Sequence, residues 1–115
     1  MTVPATPVSG AARSGNASWV ISHVGRSTVV TMEGNLDSTS AGPVASALAA
    51  VGADASDVIL DMAHLASIDL EGLDALARVR RLFEILGLSL TLRGPSPAVR
   101  SALGLLQLED LIKPT

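Results

Sequence analysis

Near the middle of the chain, a short apolar run leads directly into an acidic helix start that contains glycine. The run covers residues 58–60 and follows the polar stretch at residues 54–57. A continuous apolar run of this length is typical of a strand buried on both faces, and we expect Asp61 to end it. The junction that follows is where we expect function to lie.

From Leu73 onward the apolar spacing changes from strand-like to helical. The predicted apolar face of this central helix consists of Leu73, Leu76, Val79, Phe83 and Leu86. The opposite face carries Asp74, Arg78, Arg81 and the apolar Ile85. Asp69 is the natural N-cap, and Glu71 lies in the first turn, where unpaired N–H groups and the helix dipole favour a carboxylate.

Two strands and a helix are predicted upstream of this segment. Residues 18–24 and 27–33 are rich in β-branched residues, and the two residues between them suit a hairpin. Asp37, Ser38 or Ser40 can cap a following helix that we expect Gly52 to stop. The modest apolar face of this alanine-rich helix consists of Val44, Ala47, Leu48 and Val51.

A strand and a last helix are predicted downstream. Apolar and polar residues alternate over residues 88–93, and Ser96 with Pro97 forms a helix start. The apolar positions of the last helix are Val99, Ala102, Leu103 and Leu106. Gln107 follows, and a left-handed cap at a residue other than glycine would carry a small penalty.

The order of these elements predicts a small single α/β domain. Strands that are joined through helices run parallel, whereas the hairpin is antiparallel, so the sheet should be a mixed β-sheet covered by helices. We expect this domain to span residues 18–115. Residues 1–17 mix Pro, Ala, Thr, Ser and Gly without a period, which predicts a flexible N-terminal tail.

Composition narrows the function classes. The net charge of −3 with only eight basic residues argues against nucleic acid as a partner. The absence of cysteine removes disulfides, thiol nucleophiles and thiolate metal sites, and is compatible with the cytoplasm. No apolar run reaches the roughly 18 residues of a membrane span, so we expect no direct membrane insertion.

The central segment, residues 58–73, resembles the signature segment of the STAS domain, in the single-domain form of bacterial anti-sigma factor antagonists. Residues 33–37 resemble the family's "G-x-L-D" turn, and residues 88–100 resemble its strand, turn and last helix. The resemblance covers roughly residues 18–112. The family segment usually reads Asp-Ser-Ser-Gly or has Thr, and the partner kinase phosphorylates its second hydroxyl; this chain has Leu70 and Glu71 at the two positions.

The resemblance implies a non-enzymatic interaction domain that binds an anti-sigma factor, including the ATP-binding kinase type, and so regulates sigma-factor-dependent transcription. We expect it to be cytoplasmic, without a cofactor, and a monomer or weak dimer. The predicted partner-binding residues are Asp37, Asp61, Ser67, Asp69, Leu70, Glu71, Gly72, Asp74 and Arg78. Asp37 and Asp61 each also have a possible turn or strand-end role. The alternative is a regulatory STAS subunit of a membrane transport assembly, since STAS domains also occur with transporters.

An enzyme ranks third. Asp61, His64, Asp69 and Glu71 could be drawn as a metal cluster or as a general acid and base, but their spacing matches no hydrolase or metal motif. We therefore predict no catalytic, cofactor or metal residues.

Glu71 has three readings. It can be an ordinary helix-start carboxylate. It can act as a fixed phosphoserine-like charge that weakens partner binding, which its position slightly favours. It can also belong to a surface whose partner has adapted to the charge, and Ser67 nearby could have become a phosphoacceptor instead.

Overall fold

The computed structural model describes residues 8–112, which form a five-stranded mixed sheet in the order β1-β2-β3-β4-β5. The β1/β2 and β2/β3 pairs are antiparallel, and the β3/β4 and β4/β5 pairs are parallel. The strands are β1 (Val8–Ser14), β2 (Ala17–Val24), β3 (Ser27–Leu36), β4 (Asp57–Ile68) and β5 (Leu90–Arg93). The helices are α1 (Ala41–Ala53), α2 (Leu70–Leu86) and α3 (Pro97–Gly104), followed by a 3₁₀ turn at Glu109–Leu111. The predicted fold class is confirmed.

The core lies between the helices and one face of the sheet. Successive strand residues point to opposite faces, and on this face Met32 and Leu60 are fully buried. They share one apolar cluster with helix residues such as Leu48, Leu76 and Leu103. Ile59 and Asp61 point to the other face of the sheet, where both remain partly exposed.

The N-terminal prediction is wrong for residues 8–17. Val8–Ser14 forms strand β1, which pairs with β2 through contacts such as Ala12 with Trp19, and Ala17 already belongs to β2. Backbone hydrogen bonds to β2 order this strand, although its residues Ala11, Ala12 and Arg13 are exposed. Residues 1–7 of the predicted tail lie outside the described residues.

Strand β4 is longer than predicted, because Asp61 does not end it. Pairing with β3 continues to the contact between Leu36 and Ile68. The register shifts twice along this stretch, which masks the regular alternation that a sequence pattern would show. The strand therefore carries the chain directly to the start of α2.

The prediction for α2 is largely confirmed. Asp69 is its N-cap, and the predicted apolar residues Leu73, Leu76, Val79 and Phe83 are buried. The prediction that Leu86 belongs to the apolar face is wrong. Its side chain is 46% exposed, because Leu86 is the last helical residue before the left-handed C-cap Gly87. Ile85 is exposed, as its place on the polar face implied.

The predicted ends of the other two helices agree with the structure only in part. Ser96 caps α3 with its side chain and Pro97 is its first residue, as predicted. Gln107 adopts a φ of 57°, a left-handed conformation that carries a small penalty at a residue other than glycine. Gly52 does not stop α1 but lies inside it, where a Cβ would come within 2.9 Å of Phe83 Cε1. Gly52 therefore allows α1 to pack closely against α2 and does not terminate the helix.

Candidate functional site

Helices α1 and α2 begin side by side at the edge of the sheet where β3 and β4 end. Leu36 and Ile68 are register partners, and the Asp69 N–H donates to the Leu36 carbonyl oxygen at 3.1 Å. In the register pair before Leu36 and Ile68, the Ser67 hydroxyl donates to Asn35 Oδ1 at 2.6 Å. These bonds fix the turn that leads into α2 against the turn that leads into α1.

The start of α2 presents two side chains outward on a rigid support. The Asp69 carboxylate accepts from the Gly72 N–H at 3.0 Å, which satisfies a first-turn donor. Gly72 is buried, and a Cβ there would lie 2.5 Å from the Leu36 carbonyl oxygen, so a side chain is excluded. Leu70 and Glu71 lie between these anchors and are both exposed.

A groove of about 560 Å³ separates the beginnings of α1 and α2. On the α2 side it is lined by the predicted residues Leu70, Glu71, Asp74 and Arg78. The α1 side contributes Ser38, Ala41, Gly42 and Ala45. Ala75 of α2 and Leu106, beyond the end of α3, complete the lining. The sequence-based prediction did not include this α1 wall. The small size of the α1 residues was the only feature of the sequence that could have indicated it.

The charged groups of the groove differ in their partners. Arg78 donates to Asp74 Oδ2 through Nε at 3.0 Å and also through a second guanidinium nitrogen. The Glu71 carboxylate has no hydrogen bond or ion pair within residues 8–112. Glu71 is therefore the negative charge at this surface that is available to another molecule.

Asp37 lies next to this surface, in the turn before α1, but its carboxylate is held by the protein itself. Asn16 Nδ2 donates to it at 3.0 Å, and the Thr39 N–H and hydroxyl donate at 2.9 and 2.6 Å. These bonds, led by that from Asn16, hold the pKa of the Asp37 carboxyl below its ordinary value. They also tie the β1–β2 turn to the start of α1.

Asp61 lies apart from the other predicted residues. It is seven positions before the end of β4, where Arg93 of β5 is its register partner. The carboxylate accepts from Arg93 at 3.0 Å and from the Ala63 N–H at 3.0 Å. Burial raises the pKa of the Asp61 carboxyl, but these two donors outweigh burial, and the pKa lies below its ordinary value.

The acidic and histidine residues considered for a metal or acid–base site do not converge. Asp61 faces Arg93 within the sheet, whereas Asp69 caps α2 at the end of the strand. Within residues 8–112, no group of three His, Asp or Glu side chains is placed to hold a metal ion.

A family model described as "Mlab, STAS domain" matches residues 19–113 of this chain. No curated protein matches it significantly. In the part of the chain that the structure describes, no helix has the length and apolarity needed to cross a membrane.

Several solved structures share the fold. An anti-sigma factor antagonist from Mycobacterium paratuberculosis is 22% identical, with 86% of each chain covered and a TM-score of 0.73. A serine-to-glutamate variant of RsbS from Moorella thermoacetica is 30% identical, with 76% of each chain covered and a TM-score of 0.66. The murine anion transporter Slc26a9 is 22% identical over 81% of this chain but 17% of its own, with a TM-score of 0.67.

Proposed function

Because the chain belongs to the family described as "Mlab, STAS domain", we propose that it acts by binding another protein, as an anti-sigma factor antagonist. Its partner is an anti-sigma factor, a class that includes ATP-binding kinases. Binding makes the anti-sigma factor release its sigma factor for transcription. The protein works in the cytoplasm as a monomer or weak dimer, without enzymatic activity or a cofactor. The observation that carries the proposal is the exposed Leu70 and Glu71 pair on the rigid start of α2.

Two further features support this surface. The anti-sigma factor antagonist from M. paratuberculosis has the same fold across most of both chains. The groove beside Leu70 and Glu71 also offers a concave contact, whereas Asp37 and Asp61 already use their carboxylates within the chain. We therefore assign partner contact to Ser67, Asp69, Leu70, Glu71, Asp74 and Arg78, with the buried Gly72 as their support, Asp37 at the margin and Asp61 outside the surface.

A Ser/Thr kinase cannot phosphorylate Glu71, so the protein is not switched at this residue. The carboxylate supplies one fixed negative charge, where phosphoserine would supply about −1.5 to −2. The interaction is consequently constitutive, unless another hydroxyl such as Ser67 takes over the control.

Binding can be tested with the purified anti-sigma factors encoded by the same genome. Calorimetry should detect a complex with at least one of them, and Glu71→Ser should change its affinity. Glu33→Ser, which removes an exposed carboxylate on β3, is the matched control and should leave the affinity unchanged. Failure of every anti-sigma factor to bind would overturn the proposal.

The direction of the Glu71→Ser effect identifies what the carboxylate does. Stronger binding, together with new sensitivity to kinase and ATP, would identify a phosphoserine-like charge. Weaker binding would identify a partner that has adapted to the charge. No change would reduce Glu71 to a helix-start residue, whose loss costs about 0.3–1 kcal/mol of fold stability.

The second candidate is a regulatory STAS subunit of a membrane transport assembly. The observation that favours it is the shared fold with a segment of the murine anion transporter. Affinity purification from the native cell separates the two functions, because a transporter ATPase or membrane component would be recovered instead of an anti-sigma factor.

A further inference from the structure

We infer that the groove between α1 and α2 receives a partner segment in which an aliphatic side chain lies next to a lysine or arginine. This inference rests on the proposed function, since it states which chemistry of partner fits the same surface. The space, the walls and the charges of the groove support it.

The space arises because α1 presents small residues toward α2. Ala41 is buried at the base of α1, and a Cβ added at Gly42 would meet no atom within 4 Å. The groove volume of about 560 Å³ lies within the size range of pockets that hold ligands. A partner side chain can therefore enter without any rearrangement of the helices.

The walls favour an apolar side chain. Leu70 is 67% exposed at one rim, Leu106 is partly buried, and Ala75 is buried on the α2 wall. A leucine that is left largely in water at the mouth of a groove gains most from a partner that covers it. An aliphatic side chain would contact Leu70 and Leu106 together.

The charges favour a cation beside that aliphatic group. Arg78 is the guanidinium at the groove, and both of its described hydrogen bonds go to Asp74. The helix dipoles add only about half a positive charge at each helix start, and at α2 they are offset by Asp69 and Glu71. Glu71, which has no partner within residues 8–112, is thus the group that a lysine or arginine would meet.

Two small probes test this chemistry without any anti-sigma factor. The ¹⁵N-labelled protein is titrated with acetyl-Leu-Arg-amide and with acetyl-Leu-Glu-amide. The arginine probe should shift the amide signals of Gly42, Ala45, Glu71 and Ala75, and it should bind about two- to fivefold more tightly than the glutamate probe. Glu71→Gln should remove that preference. Equal binding of both probes, or shifts elsewhere on the protein, would overturn the inference.

A variant that fills the groove tests the same idea with a protein partner. Gly42→Leu should abolish binding of the arginine probe and weaken anti-sigma factor binding at least tenfold. Its melting temperature should not fall, because the new side chain enters open space and leucine is the better helix former. The matched control is Ala50→Leu, which adds the same side chain at an exposed position on α1 and should leave binding intact.

The outcomes separate this inference from the proposed function. If an anti-sigma factor binds Gly42→Leu as well as it binds the unmodified protein, the groove inference fails and the proposed function stands. If no anti-sigma factor binds but the arginine probe occupies the groove, the proposed function fails and the groove still recognises a basic, apolar segment.

Discussion

At the scale of single residues, the carboxylates near the parallel strands fall into two groups: those that already accept hydrogen bonds within residues 8–112 of the protein, and Glu71, which does not. Asp37 and Asp61 each accept hydrogen bonds from two other residues, and Asp69 caps a helix. A carboxylate that is fully used inside the fold gains little by changing partners, since a new bond only replaces an old one. Glu71 has no such partner and can contribute a new interaction.

The pKa of Asp61 makes a prediction about acid stability. Its pKa in the folded protein lies below the ordinary value of 3.8, so its contribution is complete above that value and is lost as pH falls through the lower, folded pKa. Asp61→Asn should therefore lower the free energy of unfolding by about 0.5–1 kcal/mol at pH 7, and the difference should shrink below about pH 4.

Urea unfolding at a series of pH values measures this difference. Asp54→Asn is the control, because Asp54 is exposed and its side chain has no partner among the described residues. A deficit of the Asp61→Asn variant that stayed constant into strong acid would show that the lost ionic interaction is not its cause.

Residue roles could be predicted where the cause is local. The N-caps formed by Asp69 at α2 and by Ser96 at α3 both follow from residue type and position at a helix start. The isolation of Asp61 could not be predicted in the same way. It depends on which strand lies beside β4 and in which register, and that is a contact between residues distant in sequence.

At the scale of elements, α2 is organised by one buried stripe and a close contact with α1. Phe83 is 1% exposed, and it packs where α1 has Gly52 rather than a larger residue. The chain has a single phenylalanine, and its ring lies in the space that the missing side chain of Gly52 leaves open. Leu86, one turn later, is exposed because the helix ends there.

Removing the Phe83 ring should be among the costliest single changes to this fold. Phe83→Ala should lower the free energy of unfolding by about 3–5 kcal/mol, through lost burial and the cavity that remains. Ile85→Ala is the matched control: Ile85 is 77% exposed on the same helix, so its loss should cost less than about 0.5 kcal/mol. Chemical denaturation of both variants gives the comparison. Similar losses in the two variants would mean that α2 is rotated about its axis relative to the structure.

Elements with strong periodicity were predictable, and those defined by pairing were not. The stripe of α2 and the start of α3 follow from spacing and capping chemistry. Residues 10–14 of strand β1 have no buried side chain, and the second half of β4 contains two register shifts, so neither shows a clean alternation. Both segments become strands only because a neighbouring strand supplies hydrogen-bond partners.

At the scale of the whole molecule, the two edge strands of the sheet differ in how well their side chains are buried. At one edge, β1 has a single neighbour, and its residues Ala11, Ala12 and Arg13 are exposed. At the other edge, β5 is shorter, but Leu90 and Leu92 are buried, and Leu92 forms an additional bridge with Ile112. Hydrogen bonds at an edge are stable only as far as buried side chains hold the strand in place.

Hydrogen exchange should therefore rank the strands by burial rather than by length or by distance from the chain ends. The hydrogen-bonded amides of β3 and β4, which have neighbours on both sides, should exchange most slowly, at rates set by global unfolding. The amides of β1 should exchange much faster, because that strand can open while the apolar core remains closed. Those of β5 should lie close to β3 and β4 despite their edge position, since opening β5 exposes Leu90 and Leu92. Amide exchange followed by NMR resolves the strands separately. Equal protection of β1 and β5 would show that backbone pairing alone, without buried side chains, is sufficient to hold an edge of this sheet.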